Sequence, residues 1–217
     1  MFEFFDPMAE VRITAGNLPH WYQPGATYFI TFRTADSIPD SVASSWRVRR
    51  NDWLRRHGIK PDDPVGGTSL LNLPERQRRE YHETFSREYL DHLDRGHGAC
   101  VLKSPGIAGI VAESLLHSDQ VSYLLGDFVV MPNHVHLLVR PLGDADLLAL
   151  CRSWKQFTAN RINRSLGRRG RFWQAESFDH LVRGPDEFDR FRRYIADNPA
   201  KANLRAGEFL YHRRPDS

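Results

Sequence analysis

The chain has 217 residues, of which 41% are hydrophobic and 26% charged, and a formal net charge of +3. That length suits a single domain spanning 1–217, and 13 Phe and 5 Trp supply bulky volume for its core. Two isolated cysteines, Cys100 and Cys151, argue against a disulfide framework or a thiolate zinc site. No apolar run approaches 18 residues and the N-terminus lacks a signal-peptide pattern, so a cytoplasmic protein without a membrane span is expected.

Residues 1–24 carry four breakers (Pro7, Gly16, Pro19 and Pro24) and are expected to be irregular. Ala26 to Arg33 is rich in β-branched and aromatic residues and predicts a strand. A polar segment from Ala35 to Pro74 follows, with a helix expected over Ser41–His57 and a Pro/Gly-rich link over Lys60–Gly67. From Pro74 to about Gly96, Tyr81, Phe85, Tyr89 and Leu93 recur at spacing four and predict one helix. Ser104-Pro105 opens another, with Ile107, Ile110, Val111 and Leu115 as its apolar face.

Tyr123 to Val130 reads as a strand, and Met131-Pro132-Asn133 as a turn into His134-Val135-His136-Leu137-Leu138-Val139-Arg140. Val135, Leu137 and Val139 alternate with His134, His136 and Leu138, so both histidines share one strand face. Such a pair can converge on a metal ion or a phosphate. Two surface or hydrogen-bonded histidines are the plainer alternative.

A long helix is expected from Asp144 or Asp146 to about Leu166, with Leu147, Leu150, Trp154, Phe157 and Ile162 as its stripe. No Asp or Glu occurs between Leu147 and Ala175, while Arg152, Lys155, Arg161, Arg164, Arg168, Arg169 and Arg171 all fall there. A one-signed stretch is the footprint of a polyanion contact or, alternatively, a solvated face. Phe172-Trp173-Gln174 and Ser177 to Arg183 read as extended segments. A last helix starts near Gly184-Pro185, buries Phe188, Phe191 and Ile195, and should stop at Asn198 because Pro199 follows. Residues 205–217 read as a polar tail.

Tyr194 and Asn198 lie four apart on that last helix and so project from one face. A tyrosine oxygen can attack phosphorus when a divalent ion draws charge from the phosphate. His134 and His136 could hold such an ion, with the amide oxygen of Asn198 as third ligand. Mg²⁺ or Mn²⁺ would serve, and the imidazoles lean toward Mn²⁺. Tyr194 as a packing aromatic and Asn198 as a helix-end residue remain the simpler alternatives. No Gly-x-x-x-x-Gly-Lys-Ser/Thr loop occurs and no Gly-x-Gly-x-x-Gly follows a strand, so no nucleotide cofactor is indicated.

Met131 to Val139 resembles the histidine motif of the HUH endonucleases, and more specifically that of the REP-associated tyrosine transposases, relatives of the single-strand insertion-sequence transposases. The likeness extends to Ser153-Trp154-Lys155-Gln156-Phe157-Thr158, Phe172-Trp173-Gln174, Phe178-Asp179-His180, and Tyr194-Ile195-x-x-Asn198-Pro199-x-Lys201-Ala202-x-Leu204. The strand Tyr28 to Arg33 also fits. The resemblance implies a ferredoxin-like α+β fold, an antiparallel sheet with helices on one face. It implies His134, His136 and Asn198 as metal ligands and Tyr194 as nucleophile. The substrate would be single-stranded or hairpin DNA of repeated palindromic elements, cut through a 5′-phosphotyrosine by a nucleoid-associated monomer or homodimer. A helical insertion at about 35–100 is longer than the family's minimal core, and Gly184-Pro185 stands where an acidic residue is expected. A relaxase or replication initiator, or a domesticated hairpin-binding protein that does not cut, would share much of this pattern.

Overall fold

The structure, a computed structural model, describes residues 1–15, 19–61, 70 and 73–215. Its elements in chain order begin with β1 (Arg12–Ala15), β2 (Pro19–Tyr22) and β3 (Tyr28–Arg33). Three helices follow: α1 (Asp40–Arg56), α2 (Glu75–Tyr81) and α3 (Arg87–Asp94), the last two joined by a π-helical turn at His82–Ser86. Then come α4 (Pro105–Leu116), β4 (Tyr123–Val130), β5 (His134–Pro141), α5 (Leu147–Ser165), β6 (Phe178–Leu181), α6 (Pro185–Lys201) and β7 (Leu210–His212).

Five strands form an antiparallel sheet in the order β6-β3-β5-β4-β7. The unit β3-α4-β4-β5-α5-β6 therefore has the alternating course and interleaved strand order of a ferredoxin-like fold, with β7 added at the β4 edge. Period-two alternation sets what each face buries. Tyr28, Ile30, Phe32, Val135, Leu137 and Val139 meet α4 and α5 in the larger core. Phe29, Val129 and Leu138 point the other way and pack with Ile195 of α6.

Several expectations need correction. The helices are not confined to one face: α4 and α5 cover one side, while α6 buries its Phe188, Phe191 and Ile195 stripe on the other. Residues 1–24 are not wholly irregular, since β1 and β2 pair antiparallel. The helix expected from 74 to 96 is broken at its π turn, where one extra residue per turn shifts the face. The polar tail contributes β7, whose Leu210 pairs with Val130. Phe157 is 48% exposed, and buried Thr158 holds the place on α5 given to it, accepting a bond from Trp173 Nε1 at 2.8 Å. Helix α6 runs past Asn198 to Lys201 with Pro199 inside it. Burial of Ile195, Asn198 and Pro199 offsets the one hydrogen bond that proline removes.

A bulge in β4 fixes how α6 is held. Leu125 pairs with Val139 but Phe128 with Leu137, so one extra residue lies in β4. The bulge lets Leu125 and Phe128, three apart, enter the same core. It also leaves Asp127 to accept from Arg192 Nε of α6 at 3.2 Å and from the Arg214 backbone at 3.0 Å. A Cβ at Gly126 would meet Leu138 Cβ at 2.8 Å. Gly126→Ala is therefore expected to destabilise the fold by about 1–3 kcal/mol, the cost of overpacking. Urea unfolding would show it, and an unchanged midpoint would mean that the sheet yields freely there.

Candidate active site

The face of the sheet under α6 carries the candidate site. Strand β5 places His134 and His136 on that face, both essentially without solvent exposure, with ring centroids 4.5 Å apart. The β3 register sets Thr31 beside His136 and Arg33 beside His134. Helix α6 lays Tyr194 across from them, its ring centroid 5.2 Å from that of His136 and edge-on to Phe29 at 5.8 Å. Asn198, one turn on, is fully buried.

Both histidines are oriented from behind. His134 Nδ1 lies 2.7 Å from Asn133 Oδ1, while the Asn133 amide nitrogen donates to the His97 carbonyl at 2.9 Å. That second bond fixes which end of the amide faces His134, so Nδ1 is the donor and Nε2 keeps its lone pair. His136 Nδ1 lies 2.7 Å from Thr31 Oγ1, leaving its Nε2 forward as well. Burial holds the His134 imidazole down to about 3, and burial with the neighbouring ring holds His136 well below its ordinary value. Two neutral imidazoles, each braced through its rear nitrogen, are what a metal ion requires.

Polar atoms without ordinary hydrogen-bond partners gather here. They are Nε2 of His134, Nε2 of His136, Oδ1 of Asp94, the Tyr194 hydroxyl, and both side-chain polar atoms of Asn198. The ligand atoms of Asp94, His134 and His136 all lie within 4.8 Å of one another. A divalent ion fits this donor set, because buried polar atoms are rarely left unpaired unless something binds there. Burial, then the Asp94 charge, push the Tyr194 hydroxyl above its usual range, although the Asn198 amide is near enough to oppose this. Burial likewise raises Asp94 to about 6, against the opposing influence of Asn198. Lys201, exposed at the end of α6, holds its ammonium 5.1 Å from the centre of the Tyr194 ring.

The sequence-derived set is thus divided. His134, His136, Tyr194 and Asn198 come together. The arginines do not join them, since α5 packs on the opposite face of the sheet. Arg152 and Arg164 lie exposed on α5, and Arg161 pairs with Glu113 at 2.9 Å. Lys155 instead donates to the carbonyls of Gln174 and Ala175, at 3.3 and 2.6 Å, and so fastens the segment after Trp173. Arg168, Arg169 and Arg171 stand exposed on the loop after α5. That loop returns to the Arg33 end of β3: Ala35 donates to the Phe172 carbonyl at 2.8 Å and Gln174 to that of Arg33 at 2.9 Å. Asp94, Thr31 and Asn133 were not foreseen. Asn133 stood in view within the turn, but Asp94 reaches the site from a distant segment and carries no spacing signal.

Residues 113–198 match the family described as "Transposase IS200 like". The match takes in β4, β5, α5, β6 and α6 as far as Asn198. No curated protein matches. Among solved structures, the chain is similar to a REP-associated tyrosine transposase bound to a REP hairpin, at 16% identity and a TM-score of 0.40, over 89% of this chain and 74% of that one. It is also similar to a Deinococcus radiodurans protein provisionally described as a transposase, at 13% identity and a TM-score of 0.28, over 82% and 93%. Superpositions this loose carry no residue roles.

The buried imidazoles predict a pH dependence in the metal-free protein. Their pKa values are lower folded than unfolded, so below about 6.5 the unfolded chain takes up protons that the fold refuses. Stability should therefore fall as pH drops from 7 toward 4. Asp94 acts in the opposite sense, but as one group against two. Urea midpoints should be lower at pH 5 than at pH 7.5, and the loss smaller in a His134→Gln/His136→Gln variant. Equal losses in both proteins would show that the imidazoles protonate within the fold.

Proposed function

We propose that this protein, with an IS200-like transposase region at residues 113–198, is a metal-dependent tyrosine transposase. It binds single-stranded or hairpin DNA and cleaves it through a 5′-phosphotyrosine. The observation that supports this best is the convergence of the Tyr194 hydroxyl, two forward-facing imidazole nitrogens and the Asn198 amide, all buried and without an ordinary hydrogen-bond partner. A tyrosine and two histidines with only a packing role rarely leave a hydroxyl and both Nε2 atoms unpaired.

Tyr194 Oη forms a bond to phosphorus while the bond from phosphorus to the 3′ oxygen breaks. The proton lost by the phenol is matched by one gained on the free 3′-hydroxyl. Phosphodiester bond energy is kept in the tyrosyl ester, so strand transfer needs no nucleotide. A divalent ion, Mg²⁺ or Mn²⁺, held by His134, His136 and Asn198 would supply Lewis-acid stabilisation of phosphate charge. Phe29 and His136 brace the Tyr194 ring, fixing the angle at which its oxygen is offered. Lys201, its ammonium beside the Tyr194 ring, would offer a cation to an entering phosphate.

The exposed face of α5 and the arginine loop form the proposed DNA track. Phe157 is exposed between Arg161, whose guanidinium lies 5.6 Å from the ring centre, and Gln156. An aromatic beside a cation suits a stacked base and a backbone phosphate together.

The decisive experiment is the covalent adduct. Wild-type protein with a hairpin oligonucleotide and Mn²⁺ should yield a protein–DNA ester, and EDTA should abolish it. Tyr194→Phe keeps the ring and should fold and bind DNA while forming none. An adduct that survives in Tyr194→Phe overturns the assignment. His136→Ala should also abolish cleavage, whereas Asn198→Ala should lower it less, because water can replace one ligand.

Binding should weaken with salt, at a log–log slope of about −0.7 per phosphate contacted. Replacing Arg168 and Arg169 by Ala should make that slope shallower. An unchanged slope would place the phosphates elsewhere.

A further inference from the structure

The helical segment α1–α3 carries an apolar cluster of its own, Leu54, Ile59, Leu70, Tyr81 and Phe85, with Trp46 and Trp53 packed against it. The cleavage step proposed above draws on no residue of this segment. Its last helical residue, however, is Asp94, and the chain is fastened on both sides of that residue. Ahead of it, the Tyr89 hydroxyl accepts from Arg33 Nε at 2.8 Å and its ring stacks on Phe178. Behind it, the His97 carbonyl receives Asn133, and the Ala99 amide donates to Asp36 Oδ2 at 2.8 Å. Gly98 has φ +91°, and a Cβ there would lie 2.7 Å from the Asp36 carbonyl oxygen, so only glycine permits this close seam.

We infer that Asp94 is a ligand of the divalent ion held by His134 and His136, so that the helical segment completes the metal site. The inference rests on the reading of the preceding section. Asp94 Oδ1 lies 3.6 Å from His134 Nε2 and has no hydrogen-bond partner. The Asn133 bond has already fixed Nε2 as a lone-pair atom, so two acceptors face each other in a buried space. While Asp94 is ionised no proton lies between them, and a cation placed there satisfies both. Asp94 also supplies charge that the other ligands lack, since two imidazoles and an amide are neutral and a divalent ion buried among them would be uncompensated. Two nitrogens and two oxygens would be its protein donors, and phosphate oxygens or water would complete the set. This mixed donor set suits Mn²⁺ better than Mg²⁺.

The test is Mn²⁺ titration of the full chain without DNA, followed by the loss of the free-ion electron paramagnetic resonance signal. Asp94→Asn keeps the side chain's shape and removes its charge, and circular dichroism checks that it folds. It should weaken Mn²⁺ binding by on the order of 10–100-fold or more, since even outer partners of ligands contribute that much. Asp91→Asn removes an exposed acid one turn earlier and should leave binding unchanged within the error of the titration. Wild-type affinity in Asp94→Asn overturns the inference, as does equal weakening by Asp91→Asn, which would mark a general field effect. The two readings separate cleanly. If His136→Ala loses Mn²⁺ and wild type still forms the Tyr194 adduct while Asp94→Asn binds normally, the nuclease stands and only the ligand role of Asp94 falls. If wild type binds no Mn²⁺, the metal site itself falls.

Discussion

Strand β5 is buried on both faces, and the candidate centre depends on that constraint. Val135, Leu137 and Val139 are locked into the core under α4 and α5. His134, His136 and Leu138 necessarily face α6. A register slip of one residue would drive two imidazoles into an apolar core and expose three aliphatic side chains to the polar site. The pairings of β5 with β3 and β4 on either side make that slip unavailable. The histidines are placed by the hydrophobic residues between them.

Helix α6 is held to the same standard from its far side. Glu187 in its first turn accepts from the Arg183 backbone at 2.8 Å and lies 3.2 Å from His180 Nε2, tying the helix start to β6. Burial would raise this carboxyl, yet the His180 and backbone partners outweigh it and bring it to about 2. Arg192 ties the middle of α6 to the β4 bulge through Asp127. Tyr194 lies two residues past the second anchor, so its hydroxyl is aimed by a helix held at its start and its middle. The centre nonetheless carries a cluster of unpaired buried polar atoms, which cost stability until an ion or substrate engages them.

Much of this was legible in the sequence, for identifiable reasons. Alternation in 134–140 and i,i+4 spacing in 194–198 are local patterns, so His134, His136, Tyr194 and Asn198 could be set on their elements from residue types alone. The strands β3, β4 and β5 were readable because they are long and rich in β-branched and aromatic residues. What escaped was non-local. Asp94 meets His134 across 40 residues of sequence, and only tertiary packing brings it there. The stretch at 210–212 has no strand period of its own and forms β7 because the β4 edge is available. Phe157 looked like core because it is aromatic, but Thr158 occupies the buried position and caps Trp173. The π turn at 82–86 broke a spacing-four pattern that composition could not distinguish from a straight helix.

The sheet separates the arginine-bearing face from the tyrosine-bearing face. On the proposed reading, a nucleic acid gripped along α5 cannot be cut where it is gripped. Its free end has to pass the arginine loop and turn the corner at the Thr34–Ala35 end of β3. The protein would then act as a ruler: the distance between the foot of the hairpin and the scissile bond would be set by the thickness of one sheet and its helical layer. The contacts along α5 would decide whether a strand is held, and the body of the fold would decide where it is broken.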